Sequence, residues 1–343
     1  MEPVGVIVRG LGNVGRDAIR MIATKSSIKL VGAIDINPDM VGKDAGTVCG
    51  LDPLGVTVSD DVDAVLAGSG EVVLDYSPTR RDESGRFSPS VDEICRELAA
   101  GKNVITTIPL YYMRVTAPDL YKKLDDTARA AGVTFLPSGL LPGAYASYIP
   151  MVLAGIMGRV DTVLVESGED DQFNTSSWVK VFGYGTDPAT FPSDRLKAGI
   201  VSYYVGAVYE MGERLGIPFD TVRSTHQVFA APEDLQVAWG TVEKGTIYGH
   251  VFEMIGEVDG KPRVTLRYVH RVCADKVEEP RIREAVDIDG EPGLLHTEIH
   301  GMMPADNGYV TSAAPTVNVI PQVVAAPAGY QLAMDLPVVV PIL

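Results

Sequence analysis

Short apolar stretches alternate with amphipathic ones over about the first 140 residues of the chain. The apolar stretches have the length and composition of buried parallel strands, and they fall at residues 3–9, 28–34, 71–76, 103–107 and 133–136. The amphipathic stretches have helical spacing, and they fall at residues 16–23, 90–100 and 120–131. This alternation predicts an α/β fold in which helices cover both faces of a doubly wound parallel sheet.

The pattern changes after Gly143. Helical spacing at residues 144–157 and 193–215 flanks a predicted strand at 160–165, which runs into an acidic turn at 166–171. Strand-like stretches then follow without helices between them, at residues 221–230, 235–243, 246–258, 262–272 and 294–300, with Asp259-Gly260 and Asp289-Gly290 as turns. Consecutive strands of this kind predict a second, α+β domain with an antiparallel sheet.

Two domains are therefore expected, the first at residues 1–143 and the second at 144–310. The last part of the chain is helix-like at residues 311–326 and then apolar and proline-rich at 327–343. Such an apolar tail is unfavourable in water, so we expect residues 311–343 to pack back on the first domain.

A glycine motif carries the clearest functional signal. The first strand is followed directly by Gly10-Leu11-Gly12-Asn13-Val14-Gly15, which matches G-x-G-x-x-G, and then by a helical stretch. The first glycine permits a tight turn, the second lets the backbone approach a pyrophosphate, and the third lets the helix pack on the strand. The helix N-terminus then faces the anion. This order of strand, turn and helix predicts a dinucleotide-binding Rossmann domain.

An acidic residue stands where such a domain recognises the adenosine ribose. Asp35 ends the second predicted strand, 20 residues after Gly15, and a carboxylate at this distance can bind the ribose hydroxyls. It would also repel a 2′-phosphate, which favours NAD(H) over NADP(H). NADP(H) stays possible, because Arg16 could accept a phosphate.

Composition narrows the class of protein further. The 343 residues carry 29 Lys and Arg against 45 Asp and Glu, a net charge of −16, which argues against nucleic-acid or anionic-membrane partners. The three cysteines are odd in number and widely spaced, so a disulfide scaffold is not expected. No apolar run reaches membrane-spanning length and no signal peptide is recognisable. We therefore expect a soluble cytoplasmic protein.

Two polar patterns have alternative interpretations. In one continuous strand, His296, Glu298 and His300 would share a face and could bind a metal or move protons. We favour a polar face that lines a cavity or an interface, and predict no metal site, because no further ligand motif is present. His300 stays a candidate for the substrate pocket. The acidic residues 166–171 could attract a cation, but we favour a solvated turn.

Together these segments resemble a known family. The chain is similar to the dihydrodipicolinate-reductase-like NAD(P) oxidoreductases, in particular to 2,4-diaminopentanoate dehydrogenase and the native amine dehydrogenases. The segments that carry the resemblance are residues 10–15, 31–35, 41–46, 100–107, 142–143 and 316–321. The resemblance implies nicotinamide-dependent reduction of a ketone through an imine with ammonia, or of a related C=O or C=N bond. It also implies a homodimer with the antiparallel sheet at the interface, so that residues 144–310 serve substrate binding and dimerisation.

With the resemblance, the predicted site residues fall into two groups. The predicted cofactor-binding residues are Gly10, Leu11, Gly12, Asn13, Val14, Gly15, Asp35, Ser77, Pro78, Thr79, Thr107 and Asn318. The predicted substrate-pocket residues are Pro109, Leu141, Tyr145 and His300.

The sequence departs from the family pattern at two of these positions. Pro109 stands where the amine dehydrogenases carry a glutamate that handles ammonia and protons, and Leu141 replaces an asparagine. Neither side chain transfers a proton, which argues against ammonia-dependent reductive amination. Tyr111 and Tyr112 follow closely, and their phenols are the candidate catalytic acids.

We therefore predict an NAD(P)H-dependent reductase of a C=O or C=N bond in a small to medium, fairly apolar substrate. Two alternatives stay open at this point. One is reduction of an activated C=C bond, which tolerates a poor acid. The other is a non-catalytic NAD(P)-binding sensor or regulatory dimer, which the missing glutamate also allows.

Overall fold

The computed structural model describes residues 2–174, 177–302 and 309–342. The chain divides into two compact units. Unit 1 consists of Met1–Ala144 and Tyr309–Leu343, and unit 2 consists of Tyr145–Gly308.

Unit 1 contains a seven-stranded sheet in the order β15-β6-β5-β4-β1-β2-β3, and every described neighbouring pair in it is parallel. Its strands are β1 (Val4–Arg9), β2 (Ile28–Ile34), β3 (Val58–Ser59), β4 (Val72–Asp75), β5 (Asn103–Thr106), β6 (Thr134–Pro137) and β15 (Gly329–Tyr330). The predicted strands of the first half are thus present, and β3 is an additional short strand.

Helices alternate with these strands. They are α1 (Asn13–Ile22), α2 (Ala45–Val48), α3 (Val62–Leu66), α4 (Ser88–Ala99), α5 (Met113–Thr116), α6 (Pro118–Ala131), α9 (Val310–Asn318) and α10 (Ile320–Ala325). Helix α1 buries one face through Ala18, Ile19 and Ile22, which lie at helical spacing, and α9 packs against α1.

The C-terminal segment contributes directly to the core of unit 1. Val317, Ile320 and Val323 are fully buried in the same apolar cluster as the side chains of β1 and β4. Strand β15 then pairs in parallel with β6 and extends the sheet at that edge. Burial of this apolar surface explains why the last residues return to the N-terminal part of the chain.

Unit 2 contains a six-stranded sheet in the order β14-β13-β7-β12-β11-β8, and a separate hairpin of β9 and β10. The α-helices and strands of unit 2 are α7 (Ile149–Ala154), β7 (Arg159–Asp170), α8 (Ser193–Arg214), β8 (Thr221–Ala230), β9 (Leu235–Val237), β10 (Gly240–Val242), β11 (Ile247–Val258), β12 (Lys261–Arg271), β13 (Ala285–Glu291) and β14 (Leu295–Glu298). Helix α8 packs on β8, β11 and β12. The overall class, a parallel α/β domain plus a second α+β domain, is confirmed.

Three details of the second half differ from the sequence prediction. The sheet is mixed, because β7 and β12 run parallel whereas the other four neighbouring pairs are antiparallel. Residues 166–170 are not an acidic turn but the end of β7. The predicted helix over residues 144–157 is instead a wide helical segment, Leu140–Tyr148, followed by α7.

Strand β13 was not predicted, because Asp289-Gly290 has the composition of a turn. In the structure these two residues lie inside the strand, at a shift in its register with β7. Added to Gly290, a Cβ atom would lie 1.9 Å from the carbonyl oxygen of Arg159. Glycine is needed here for the close approach of two strands, and not for a chain reversal.

None of the helices in the described part of the chain combines the length and the apolar character needed to cross a bilayer.

The contact at Gly290 gives a stability prediction. Gly290→Ala should lower the free energy of unfolding by about 1–3 kcal/mol, because β7 and β13 must move apart to admit the methyl group. Gly293→Ala is the matched control, since its Cβ would meet nothing within 4 Å, and it should change stability by less than about 0.5 kcal/mol. Urea unfolding of both variants measures the difference, and equal stabilities would show that the strands are not in close contact there.

Candidate functional site

The carboxyl ends of the central strands of unit 1 are aligned. Arg9, the last residue of β1, pairs with Ile34 at the end of β2 and with Asp75 at the end of β4. Asp75 pairs in turn with Thr106, the last residue of β5. The loops that follow these strands therefore start at one edge of the sheet, which is where ligands bind in open α/β sheets.

The glycine motif forms a tight turn at this edge. Gly10 has φ +85°, and a Cβ atom there would lie 2.7 Å from the carbonyl group of Tyr76. A Cβ atom on Gly15 would lie 2.0 Å from the carbonyl oxygen of Gly10. Any larger residue at either position would separate α1 from β1 or from the loop after β4.

The start of α1 is suited to bind an anion. Its N-cap residue, Gly12, provides no side-chain hydrogen bond to the helix, and the first turn contains no acidic residue. Gly12 is exposed, and a Cβ atom there would meet nothing within 4 Å. The N–H groups of the first turn are thus available beside open space, which fits a pyrophosphate. The side chain of Leu11 is fully buried in the core, and its part in cofactor binding stays a prediction.

Asp35 connects this turn to the end of β2. Its Oδ2 accepts a hydrogen bond from the N–H of Leu11 at 2.6 Å, and its Oδ1 accepts one from the N–H of Asn37 at 2.8 Å. An ionised carboxylate can accept about four hydrogen bonds. Asp35 can therefore hold the glycine turn in place and still bind the hydroxyl groups of a ribose.

The predicted nicotinamide-side residues are positioned by the strands before them. Asp75 is fully buried, and its Oδ1 accepts a hydrogen bond from the N–H of Ser77 at 2.8 Å, which orders the loop of Ser77, Pro78 and Thr79. Thr107 is half-buried at the corresponding loop after β5. These residues lie at the same edge of the sheet as the glycine turn.

Helix α9 closes this edge from the C-terminal part of the chain. The hydroxyl groups of Tyr76 and Thr316 are hydrogen-bonded at 2.5 Å, which ties the loop after β4 to α9. Asn318 is half-buried at the end of α9, and its Oδ1 is sheltered from water without a hydrogen-bond partner among the described residues. A buried carbonyl oxygen of this kind can accept the carboxamide N–H of a nicotinamide.

A buried ion cluster that was not predicted from the sequence lies beneath the loops. Arg9 is 8% exposed and donates to Glu97 at 2.7 Å and to Glu93 at 2.5 Å. Glu97 and Asp75 are fully buried, and burial raises the pKa of both carboxyl groups. Burial alone would lower the pKa of Arg9, but the charges of Glu97 and Asp75 more than offset it, so that pKa is raised. Arg9 thus supplies the positive charge that these carboxyl groups need.

The residues around Pro109, which stands at the position of the family glutamate, are largely buried. Pro109 is buried, and Tyr111 and Tyr112 are 4% and 0% exposed. The phenolic oxygen of Tyr112 accepts a hydrogen bond from Arg114 at 2.5 Å, and the guanidinium also lies over the Tyr112 ring. Tyr112 is therefore held in a local contact with Arg114, and a proton-donor role for either tyrosine stays a prediction.

The other predicted pocket residues differ in exposure. Leu141 is half-buried and has an extended backbone, as expected before a proline. Tyr145 is fully buried in unit 2, where its hydroxyl donates to the backbone carbonyl of Glu166 at 2.9 Å. His300 is exposed and follows β14, which ends at Glu298. The predicted strand face therefore holds for His296 and Glu298, whose side chains are 3.9 Å apart, but does not extend to His300, and His296 also pairs with Asp287.

Unit 2 also contains a buried polar cluster. His270 lies opposite Glu169 and His250 in the sheet register, and its Nδ1 is 3.1 Å from Asp171. Atoms of Glu169, Asp171 and His270 that could bind a cation lie within 4.8 Å of one another. Glu169 accepts a hydrogen bond from Tyr268 at 2.8 Å. These hydrogen bonds within the protein account for the cluster as a polar part of the core.

Two histidines beside this cluster, His226 and His250, are neutral near pH 7. Burial lowers the pKa of His226 to about 4 and that of His250 to about 3. Burial also opposes the charge on Asp171, but the contact with His270 more than offsets this, so the pKa of Asp171 is lowered. The acidic stretch at residues 166–171 is therefore not a solvated turn, because Glu166 and Asp171 are buried and paired.

Comparison with known families agrees with both units. A model of the dihydrodipicolinate reductase N-terminus matches residues 4–84, and a model of the 2,4-diaminopentanoate dehydrogenase C-terminal domain matches residues 148–343. The fold, the glycine turn and these matches together define an NAD(P)-dependent oxidoreductase. The chain belongs to the 2,4-diaminopentanoate dehydrogenase family, and the resemblance predicted from the sequence is confirmed.

Individual relatives extend over the whole chain. An amine dehydrogenase of Streptomyces virginiae is 28% identical over 355 residues, which cover 97% of this chain and 96% of the relative. A 2,4-diaminopentanoate dehydrogenase of Acetoanaerobium sticklandii is 23% identical over 355 residues, with 98% and 94% covered. The structure of an amine dehydrogenase from Mycobacterium smegmatis has the same fold, with a TM-score of 0.81, 23% identity, and 98% and 97% covered.

The buried ion cluster gives a prediction for unit 1. Arg9→Met should lower the free energy of unfolding by about 3–5 kcal/mol, because Glu97 and Asp75 stay buried without a cation. The double variant Arg9→Met/Glu97→Gln should recover part of that loss, because one of the two carboxyl groups is then neutral. Arg96→Met is the control, since Arg96 and its partner Asp63 are exposed, and it should cost less than about 1 kcal/mol. Chemical denaturation measures all three, and a small effect of Arg9→Met alone would contradict the assignment.

Proposed function

We propose that this oxidoreductase reduces the C=O or C=N bond of a small to medium, fairly apolar substrate with NAD(P)H, and does not require ammonia. The observation that carries the proposal is the intact cofactor edge of unit 1, combined with Pro109 at the position of the family glutamate. The first feature supports hydride chemistry. The second removes the carboxylate that would handle ammonia.

The cofactor would be held by residues of unit 1. The first turn of α1, from Asn13 to Gly15, would bind the pyrophosphate, and Asp35 would bind the adenosine ribose. The loop at Ser77 and the sheltered Oδ1 of Asn318 would orient the nicotinamide. When bound, the reduced cofactor supplies the hydride, and the protein supplies orientation, water exclusion and a proton.

An assay of NADH oxidation with a panel of apolar ketones tests this function. We expect turnover without ammonia, and an ammonium salt should change the rate by no more than salt of equal ionic strength does. Gly15→Ala is the control, because its Cβ would lie 2.0 Å from the oxygen of Gly10, so cofactor binding and turnover should both be lost. Turnover that depends on ammonia would contradict the proposal and would make the protein an amine dehydrogenase.

Two further outcomes would also overturn it. Hydride transfer only to activated C=C bonds would show an ene-type reductase. Tight cofactor binding without turnover on carbonyl, imine or C=C compounds would show a sensor rather than an enzyme.

We also propose that NAD(H) is preferred over NADP(H), because the carboxylate of Asp35 would repel a 2′-phosphate. Asp35→Ser should weaken NADH binding by about tenfold or more, through loss of charge-assisted hydrogen bonds to the ribose and to Leu11. The same change should raise the affinity for NADPH relative to NADH.

Titration of cofactor fluorescence measures both affinities. Asp39→Ser is the matched control, because Asp39 is an exposed acid of the same loop and its loss changes the net charge equally. If Asp35→Ser and Asp39→Ser leave the ratio of the two affinities unchanged, Asp35 does not set the preference.

A further inference from the structure

Tyr76, the first residue after β4, contacts the glycine turn of unit 1 on one side. Its backbone N–H donates to the carbonyl of Arg9, the residue directly before Gly10, at 2.8 Å. A Cβ atom on Gly10 would lie 2.7 Å from the carbonyl group of Tyr76, and one on Gly15 would lie 3.4 Å from its ring. The position of Tyr76 is therefore set by the turn that would bind the pyrophosphate.

On the other side, the hydroxyl of Tyr76 contacts Thr316 of α9. Thr316 is fully buried, and its own hydroxyl donates to the carbonyl of Ala313 at 2.7 Å. Because a threonine hydroxyl has only one hydrogen, Tyr76 is the donor and Thr316 the acceptor in the 2.5 Å contact between them. Burial raises the pKa of Tyr76, which keeps the phenol protonated and able to donate. The hydrogen bond thus runs in one direction, from the loop after β4 to α9.

Helix α9 needs support from outside, because its own hydrogen bonds are interrupted. It has nine residues, with Pro315 inside it. Proline has no N–H and cannot donate the helical hydrogen bond to the carbonyl four residues earlier. The hydroxyl of Thr316 bridges back to Ala313 across this proline. The turn that ends at Asn318 therefore depends on contacts outside the helix, and the hydroxyl of Tyr76 supplies one of them from the side of the glycine turn.

The surroundings of this hydrogen bond are apolar. Ala313 and Val317 belong to the buried apolar cluster of unit 1, and Tyr76 packs against the same cluster. Apolar contacts are not directional, whereas a hydrogen bond requires a particular distance and angle. The pair of Tyr76 and Thr316 therefore selects one position of α9 along the loop. The same position is imposed on Asn318, whose sheltered Oδ1 has no hydrogen-bond partner among the described residues.

We propose that Tyr76 is a positioning residue of the cofactor site. Through Thr316 it holds Asn318 where Oδ1 accepts the carboxamide N–H of the nicotinamide, and it thereby couples the pyrophosphate end of the site to the nicotinamide end. This inference rests on one part of the proposed function, the orientation of the nicotinamide by Asn318, and adds the contact that sets the position of that residue.

Two ligands separate the two ends of the site. NADH reaches both ends, whereas ADP-ribose has the same adenosine and pyrophosphate but no nicotinamide. Tyr76→Phe keeps the ring beside Gly15 and removes only the hydroxyl. It should weaken NADH binding by about tenfold, the scale of one lost hydrogen bond, and leave ADP-ribose binding within about twofold of the wild-type value. Isothermal titration calorimetry measures both affinities, and binding of ADP-ribose also shows that a variant is folded.

Thr316 provides a matched pair of variants. Thr316→Val has nearly the same shape but no hydroxyl, so it should weaken NADH binding as Tyr76→Phe does. Thr316→Ser keeps the hydroxyl and should bind NADH within about twofold of the wild-type value.

Thr134→Val is the control for Thr316→Val. Thr134 is also buried, and its hydroxyl also binds the C-terminal segment, since it donates to the carbonyl of Pro327 at 3.2 Å. It lies at the amino end of β6, however, at the edge of the sheet away from the glycine turn. Thr134→Val should therefore leave NADH binding within about twofold of the wild-type value, although it removes a hydrogen bond to the same segment.

A double variant tests whether Tyr76 acts through Asn318. Asn318→Ala alone should weaken NADH binding by about tenfold, because it removes the amide oxygen. Adding Tyr76→Phe to it should weaken binding by no more than about twofold further, since the group that Tyr76 positions is already absent. Two effects that simply multiply would show that Tyr76 acts by another route, and the proposal would be wrong.

The outcomes keep this inference apart from the proposed function. A protein that shows these ratios of affinity but reduces no carbonyl or imine compound overturns the proposed function and supports the role of Tyr76. An enzyme that reduces ketones, and whose Tyr76→Phe variant binds NADH as the wild type does, overturns the role of Tyr76 alone. Equal losses of affinity for NADH and ADP-ribose also overturn it, because they show a general loosening of the site. If Thr316→Val does not fold, Tyr76→Phe and the double variant decide.

Discussion

The close packing of α1 on the end of β1 is the constraint on which the cofactor half of the molecule depends. With 2.0 Å between the position of a Gly15 Cβ and the oxygen of Gly10, only glycine lets the helix start directly above the strand. The first N–H groups of α1 then point toward the open edge of the sheet, where a pyrophosphate can bind them. Asp35 holds the same turn from β2, through Leu11. Helix α1 and strand β1 are therefore held together by the close approach at Gly15, and the end of β2 is tied to the same turn by the side chain of Asp35.

Charge beneath this edge is arranged around a single arginine. Arg9 ends β1 with its side chain between helix α4 and the sheet, where Glu97 and Asp75 would otherwise be buried without compensation. Asp75 in turn orders Ser77 and hence the loop on the nicotinamide side. Burying such a cluster contributes little net stability, because desolvation offsets the attraction. The ion cluster instead fixes the position of the loop after β4 relative to the glycine turn.

The acidic and basic groups of the two units are arranged differently. In unit 1, the family glutamate is replaced by Pro109, and Tyr112 is engaged by Arg114. Unit 2 instead buries several acids and histidines on its sheet, and most of them are hydrogen-bonded to one another. A buried polar group without such a partner is costly, and in unit 2 one sheltered oxygen each of Glu166 and Glu284 receives no hydrogen bond from the described residues.

The sequence alone was sufficient for the cofactor half of this protein, because its signals are local. The alternation of strands and helices and the spacing of Gly10, Gly12 and Gly15 lie within short segments whose geometry the neighbouring residues determine. Strand β13 and the end of β7 could not be predicted in this way. Asp289-Gly290 has the composition of a turn, and the acids of β7 look solvated until their partners are known.

Those partners lie far away in the sequence. Glu166 meets Arg267, 101 residues later, and Arg9 meets Glu97, 88 residues later. Whether a carboxyl group is paired, charged or protonated depends on burial and on such distant contacts, which no local pattern contains. The sequence thus determined the fold class and the glycine turn, whereas only the tertiary structure decided which buried acids lie beside a basic partner.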